Sequence, residues 1–151
     1  MNLTIKQFGD ACEYVILAEL SFAGLSATKM PHGWPGYDLM IGGRRDGRIS
    51  VKGLRYTSQA AVSRVWRFMP DGWVWLALIR FEEDLTRAIY IVPREWAVSM
   101  ACRGNQGLWD LYCSAPGRVI FRDNFSLENR AGQAAGTNAG NGQLEAEEVN
   151  I

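Results

Sequence analysis

One short stretch of the chain, residues 36–55, holds the side chains best suited to chemistry. Its pattern predicts two strands joined by a turn. Because successive strand residues point to opposite sides, Asp38, Ser50 and Lys52 share one face. A carboxylate can ligate a divalent cation, and an ammonium group can neutralise charge at an attacked phosphate. The pattern therefore predicts phosphodiester hydrolysis assisted by a divalent metal cation.

The register of this hairpin decides whether the acid and the amine meet. A tight turn at Asp46 and Gly47 would place Asp38 opposite Arg55. A five-residue loop over residues 43–47 instead places Asp38 directly opposite Lys52, and we predict this longer loop. The apolar residues expected to face the core are Leu39, Ile41, Ile49 and Val51. The alternative is a surface ion pair without function, which contributes roughly 0–1 kcal/mol.

A helix is predicted before the hairpin, over residues 5–23, with Gly24 ending it. Its apolar residues form a broad stripe that can lie on a sheet. Glu13 shares a face with Ile16 and Leu20, so we expect its carboxylate to be directed toward the sheet. The alternative is a boundary residue paired with an arginine.

Two neighbouring segments could contact nucleic acid. The turn-rich loop over residues 31–36 leads to Asp38 and contains His32, which could contact a phosphate, and Trp34, which could stack on a base or cap the core. The hairpin is also rich in arginine, as a phosphate-contacting surface requires. The expected nucleic-acid-binding arginines are Arg44, Arg45, Arg48 and Arg55, and a solvated basic face is the alternative.

The remaining segments predict one mixed sheet. Residues 73–81 are almost continuously apolar, which is typical of a central strand buried on both faces, and residues 87–92 are the predicted hairpin partner. A short strand at residues 26–30, a helix over residues 94–101 that starts at Pro93, and a last strand at residues 118–121 complete the order. The predicted fold class is therefore α/β (α+β), with a central mixed β-sheet flanked by helices.

Composition indicates one globular domain followed by a tail. The chain has 151 residues, of which 48% are apolar. From residue 133 onward it is small, polar and acidic, and we expect this tail to be disordered. The tail contains three acidic residues and no basic one, so residues 1–132 carry 16 basic against 13 acidic residues, a net charge of +3. The neutral total therefore hides a basic body.

Three further features of the sequence limit which kind of metal site and which cellular location can be expected. They are the cysteines, the single histidine and the first residues of the chain. Three widely spaced cysteines suggest reduced thiols, and His32 alone cannot complete a zinc site. The first residues lack the pattern of a signal peptide, and no apolar run is long enough to span a bilayer. We therefore expect a soluble cytoplasmic protein with no membrane partner.

Several segments together resemble the PD-(D/E)XK nuclease-like superfamily, especially its restriction-endonuclease-like and Holliday-junction-resolvase-like members. The segments are FGDACEYVILAELSFAGLSAT, PGYDLMI, ISVKG, WVWLALI and IYIVP, which span residues 8–101. The resemblance implies a restriction-endonuclease-like core in which Glu13, Asp38 and Lys52 converge on magnesium. It also implies DNA as the partner, with RNA as a further possibility and homodimer formation left open.

Ser50 departs from that family, which has glutamate or glutamine two positions before the lysine. A serine hydroxyl is neutral and short, so a metal ion would depend on Asp38, the Val51 carbonyl, water and Glu13. Two functions therefore stay open. One is a metal-dependent endonuclease, and the other is a catalytically inactive nuclease-fold module that binds nucleic acid or another protein.

Overall fold

The computed structural model describes residues 3–55, 65–82, 84 and 86–130. The predicted acidic tail and the predicted domain limit at residue 132 lie outside the described residues. The helices are α1 (Ile5–Phe22) and α2 (Arg94–Met100), and short 3₁₀ helices span Asn105–Gly107 and Arg118–Phe121. The strands are β1 (Ala27–Lys29), β2 (Leu39–Ile41), β3 (Arg48–Leu54), β4 (Val65–Phe68), β5 (Trp75–Phe81), β6 (Arg87–Pro93), β7 (Cys102–Arg103) and β8 (Trp109–Tyr112).

The central sheet has five strands in the order β1-β2-β3-β5-β6. β3 and β5 are parallel, and the other neighbours are antiparallel, including the predicted β5–β6 hairpin. α1 packs on one face of the sheet and α2 on the other. The predicted fold class, a mixed sheet flanked by helices, is therefore confirmed. Neither of the two described helices combines the length and apolar character needed to cross a membrane.

Local sequence features fix both ends of α1. The Thr4 hydroxyl accepts a hydrogen bond from the Gln7 backbone, and the Gln7 side chain accepts one from the Thr4 backbone, which forms a capping box. After Phe22 the chain turns at Gly24, whose φ of +82° favours glycine. The buried stripe of the helix recurs at every fourth residue and consists of Phe8, Cys12, Ile16 and Leu20. It packs on the predicted apolar row of β2 and β3, which is buried as expected.

A second sheet of three short strands, in the order β4-β8-β7, was not predicted. It covers the face of the central sheet opposite α1. The predicted strand at residues 118–121 is wrong, because Arg118–Phe121 forms a 3₁₀ helix. Gly117, at a φ of +76°, turns the chain before it, and an isolated bridge joins Tyr90 to Arg122 directly after it. Cys12 and Cys113 are buried and Cys102 is exposed, and none of the three forms a disulfide within the described residues.

The β2–β3 register differs from the predicted one by a shift of two residues. Leu39 lies opposite Ile49, so the next pair outward brings Asp38 opposite Ser50. The prediction that Asp38 lies directly opposite Lys52 is therefore wrong. Because the shift is even, every side chain keeps its predicted face.

The β2–β3 loop explains this register. It spans residues 42–46, because the Ile41 amide donates to the Gly47 carbonyl at 2.9 Å and closes the hairpin there. Arg44 binds Asp46 within the loop through two hydrogen bonds of 2.9 Å. A Cβ at Gly47 would lie 2.6 Å from the Ile41 carbonyl oxygen, so only glycine fits at the closing position.

Candidate functional site

Asp38 lies directly before β2, and its side-chain carboxylate accepts hydrogen bonds from β3. Its Oδ2 accepts hydrogen bonds from the Val51 amide at 2.6 Å and from the Ser50 hydroxyl at 3.2 Å. Its own carbonyl accepts from the Met30 amide at 2.9 Å, which ties the residue to β1. The carboxylate is thus fixed in place, and its Oδ1 accepts no hydrogen bond from the described residues.

Glu13 reaches the same region from α1. Its carboxylate is paired with the Lys29 ammonium group of β1, which also lies 3.5 Å from an Asp10 carboxylate oxygen. Glu13 and Lys29 side chains are only 19% and 20% exposed. Burial raises the pKa of Glu13, the hydrogen bond from Lys29 opposes that rise, and the charge of Asp38 adds to it. The partner of Glu13 is therefore a lysine and not the arginine considered as the alternative.

These groups line one cleft of about 280 Å³. Three carboxyl groups and one amine from α1, β1 and the start of β2 meet there. The lining residues are Asp10, Glu13, Lys29, Met30, Pro31, His32, Gly33, Trp34, Tyr37 and Asp38. The structure therefore brings together two of the three predicted catalytic residues, Glu13 and Asp38.

The loop over residues 31–36 forms one wall of the cleft, so His32 and Trp34 lie beside Asp38. Trp34 is 47% exposed and contacts Tyr37 edge to face, with ring centres 6.2 Å apart, so it does not cap the core. The end of the loop is held by a close backbone crossing. Gly36 has a φ of +92°, and a Cβ at Gly72 would lie 2.6 Å from its Cα.

Lys52 occupies a different position from the two acids. It follows Ser50 on the face of β3 that points away from α1, opposite Leu78 of β5. It is half-buried, and it is not among the residues that line the cleft. The third predicted catalytic residue therefore lies on the same face of β3 as Ser50, whose hydroxyl donates to Asp38, but it does not line the cleft.

The four predicted nucleic-acid-binding arginines lie in different surroundings. Arg44 is held by Asp46 in the β2–β3 loop, while Arg45 beside it is exposed. Arg48 lines a second cleft. The Arg55 guanidinium lies over an α1 phenylalanine ring, 4.3 Å from its centre, and donates to a backbone carbonyl near the start of the helix.

The cleft could hold a divalent metal ion only if water supplied most of its ligands. Within the described ranges, no group of three or more His, Cys, Asp or Glu side chains is arranged to hold a metal ion. Asp38 offers Oδ1, and the Val51 carbonyl points to the same side as its amide, toward Asp38. Glu13 could add an oxygen once Lys29 moved. Mg²⁺ usually keeps several waters and takes one or two carboxylates, so these residues fit such a site.

The sequence reasoning missed Asp10 and Lys29. Asp10 lies three residues before Glu13 and therefore on the same side of α1. β1 follows α1 after a short turn and packs against it, which brings Lys29 to these acids. A lysine on the first strand after a helix with two acids so spaced was the available signal.

One comparison with solved structures bears on the fold. A bacterial homing endonuclease, I-Ssp6803I, matches with a TM-score of 0.57 and 18% sequence identity, covering 89% of this chain and 98% of that chain. At this identity the likeness shows a shared fold, so the predicted nuclease-like core is confirmed at that level. No known protein family and no curated protein matches the sequence.

Proposed function

We propose that the chain is a divalent-metal-dependent endonuclease that hydrolyses phosphodiester bonds in DNA. The observation that carries the proposal is the placement of Asp38. Its carboxylate is fixed by the Val51 amide and by Ser50 in the cleft that also contains Glu13. The fold shared with a protein described as an endonuclease supports the same conclusion.

In this proposal the cleft residues hold the ion and the attacked phosphate. Asp38 and the Val51 carbonyl would bind Mg²⁺ or Mn²⁺, and Glu13 would complete the site. The ion would supply positive charge at the phosphate and acidify a bound water. Lys52 would extend its flexible stem past the edge of β3 and neutralise charge that develops on the phosphate.

The walls of the cleft would bind the nucleic acid. His32 would contact a phosphate, and the exposed ring of Trp34 would stack on a base. Arg45 and Arg48 have no ion-pair partner among the described residues, so they are the arginines best placed to hold neighbouring phosphates. Arg44 and Arg55 would first have to leave their present partners.

A second candidate function is that of a catalytically inactive nuclease-fold module that binds nucleic acid. Two observations favour it. Ser50 offers a hydroxyl where a further carboxylate would strengthen metal binding, and Glu13 is already engaged by Lys29. Such a module would keep the cleft and its binding surface while lacking the ion that hydrolysis requires.

A cleavage assay separates the two functions. The full chain is incubated with supercoiled plasmid, branched DNA and single-stranded RNA in Mg²⁺, Mn²⁺ or chelator. We expect metal-dependent cutting of DNA that falls on the order of a hundredfold or more in Asp38→Asn and in Lys52→Ala. Loss of a fixed metal ligand or of a charge-neutralising group explains both effects.

Matched controls are Asp123→Asn and Lys6→Ala, which change exposed residues outside the cleft. Both should cut as the unchanged protein does. Binding of DNA without cutting in either metal would favour the inactive module. Cutting that survives Asp38→Asn would place the active site elsewhere.

A further inference from the structure

Lys29 is a partly buried cation in a cleft lined by acids. Its ammonium group contacts Glu13 and lies 3.5 Å from Asp10, and its side chain is only 20% exposed. The Tyr14 ring covers it from another side, with its centre 5.5 Å from Nζ. A lysine on an exposed strand edge would ordinarily extend into water. This one is instead held inside by its carboxylate partners.

The same ammonium group is close to the position proposed for the metal ion. Lys29 is the last residue of β1, and Met30, which follows it, donates its amide to the Asp38 carbonyl at 2.9 Å. Glu13 and Asp38 line the same cleft and are close enough for each charge to affect the other. Lys29 therefore supplies positive charge among carboxylates that would otherwise repel one another.

We propose that the Lys29 ammonium group is a built-in cation that competes with the divalent metal for Glu13. The inference rests on the proposed metal site at Asp38. Asp38 and the Val51 carbonyl would hold the ion, and Glu13 would become available to it only when Lys29 turns away. The four-carbon stem of a lysine permits that movement, and an incoming phosphate offers the released ammonium group a new partner.

This arrangement has two physical consequences. The Lys29 ammonium group partly neutralises the acids of the cleft and so would hold them in place whether or not a metal ion is bound. Metal binding in the absence of nucleic acid is weakened, because a largely buried ion pair must be broken before Glu13 can coordinate the ion. Lys29 is thus a positioning residue that sets the affinity of the site for metal.

Calorimetric titration of Mn²⁺ into the full chain, without nucleic acid, tests the proposal. The variants are Lys29→Met, which keeps the apolar stem and removes the charge, Glu13→Gln, and the double variant. We expect Lys29→Met to bind Mn²⁺ on the order of tenfold more tightly than the unchanged chain. We expect no such gain from Lys29→Met in the Glu13→Gln background, because Glu13 is then unable to coordinate.

The controls separate direct competition from a general effect of charge. Lys6→Met removes an exposed lysine from α1 and should leave Mn²⁺ affinity unchanged. Equal or weaker binding in Lys29→Met would overturn the proposal, as would a gain of the same size in the Glu13→Gln background. If Lys29→Met fails to fold, as judged by thermal unfolding, Lys29→Gln takes its place with the same expected outcome.

Asp38→Asn distinguishes failure of this inference from failure of the proposed function. Loss of Mn²⁺ binding in Asp38→Asn, with no gain in Lys29→Met, would leave the metal site standing and refute competition by Lys29. Binding that is unaffected by Asp38→Asn would refute the proposed metal site, and with it the competition for Glu13 there.

Discussion

The two faces of the central sheet are covered in different ways. On the α1 face the buried side chains are mostly aliphatic, and among the residues that the structure describes there only Phe8 and Trp75 are buried and aromatic. The opposite face is covered by α2 and the second sheet. Its buried residues in the described part of the chain include six aromatic ones, which are Trp66, Phe68, Trp73, Tyr90, Trp96 and Phe121.

The two faces of the sheet differ in which of them positions the cleft residue Glu13 and which of them buries the larger side chains. On the α1 face the helix comes so close to β3 that a Cβ on Gly53 would overlap the Cys12 sulfur and lie 2.7 Å from the Phe8 ring. Glu13 directly follows Cys12, so this close contact fixes where the cleft acid lies. The face covered by α2 and the second sheet, here called the aromatic face, buries large side chains, and none of the buried residues described there lines the cleft that contains Asp38. The partly buried Tyr37 packs against them and does line the cleft. The buried rings should therefore stabilise the fold without themselves lining the site.

Trp66→Ala is expected to have the largest effect on stability. The ring is 1% exposed, and its indole N–H donates to the Ile79 carbonyl at 3.4 Å. Removing it leaves a cavity and should lower the free energy of unfolding by about 3–5 kcal/mol. Denaturant unfolding measures this loss. The Mn²⁺ affinity of the folded protein should stay unchanged, because Trp66 does not line the cleft that contains Asp38.

The control for this prediction is Phe22→Ala, which removes a ring that is 89% exposed. It should change stability by no more than about 0.5 kcal/mol. A Trp66→Ala variant that remains folded yet binds Mn²⁺ several-fold more weakly would show that the two faces are not independent. The comparison between them would then fail.

Gly53→Ala should have a smaller effect on stability but should reach the cleft. The added methyl group pushes α1 away from β3 and should cost about 1–3 kcal/mol, the usual range for overpacking. Because Glu13 moves with the helix, Mn²⁺ affinity should fall together with stability. Denaturant unfolding and calorimetry on the same variant measure the two effects.

Two variants sharpen this prediction. Gly9→Ala adds a methyl group to α1 where nothing lies within 4 Å, so it should raise stability by about 0.5–1 kcal/mol. Cys12→Ala removes the sulfur that the new methyl group meets, and combined with Gly53→Ala it should restore part of the loss. Strict additivity of Cys12→Ala and Gly53→Ala would show that the helix does not rest on this contact.

The same two faces show what the sequence could predict. Leu39 and its alternating partners, and the continuous apolar run of β5, form patterns within a single element, and both were located correctly. The face of Glu13 followed from helical spacing in the same way. The second sheet was missed because β7 and β8 have only two and four residues, which is too short for periodicity to appear.

The details of the site depend on contacts between distant elements. The register that brings Asp38 opposite Ser50 is set by the Arg44–Asp46 pair and by the fit of Gly47, and neither follows a periodic pattern. Lys29 lies on a three-residue strand and acquires its role only by packing beside Asp10 and Glu13. Sequence reasoning therefore located Glu13 and Asp38 but missed Asp10 and the amine that partly neutralises these acids.

Asp110→Asn should have the smallest effect, and its pH dependence makes it measurable. Two hydrogen bonds from Arg67 of β4, at 2.7 and 3.0 Å, lower the pKa of Asp110 on β8 below the usual value. A carboxyl group whose pKa is lower in the folded state stabilises the fold above its unfolded pKa. That contribution disappears as the pH falls through the folded pKa.

The difference in unfolding free energy between the unchanged chain and Asp110→Asn should therefore shrink as the pH is lowered from about 5 to about 2. Urea unfolding across that range measures it. Salt at about 1 M should shrink the difference at the upper pH as well, because Arg67 is exposed and the pair is screened. A difference that is the same at every pH would mean that the second sheet is held on the aromatic face by its buried rings alone, without help from the Arg67–Asp110 pair.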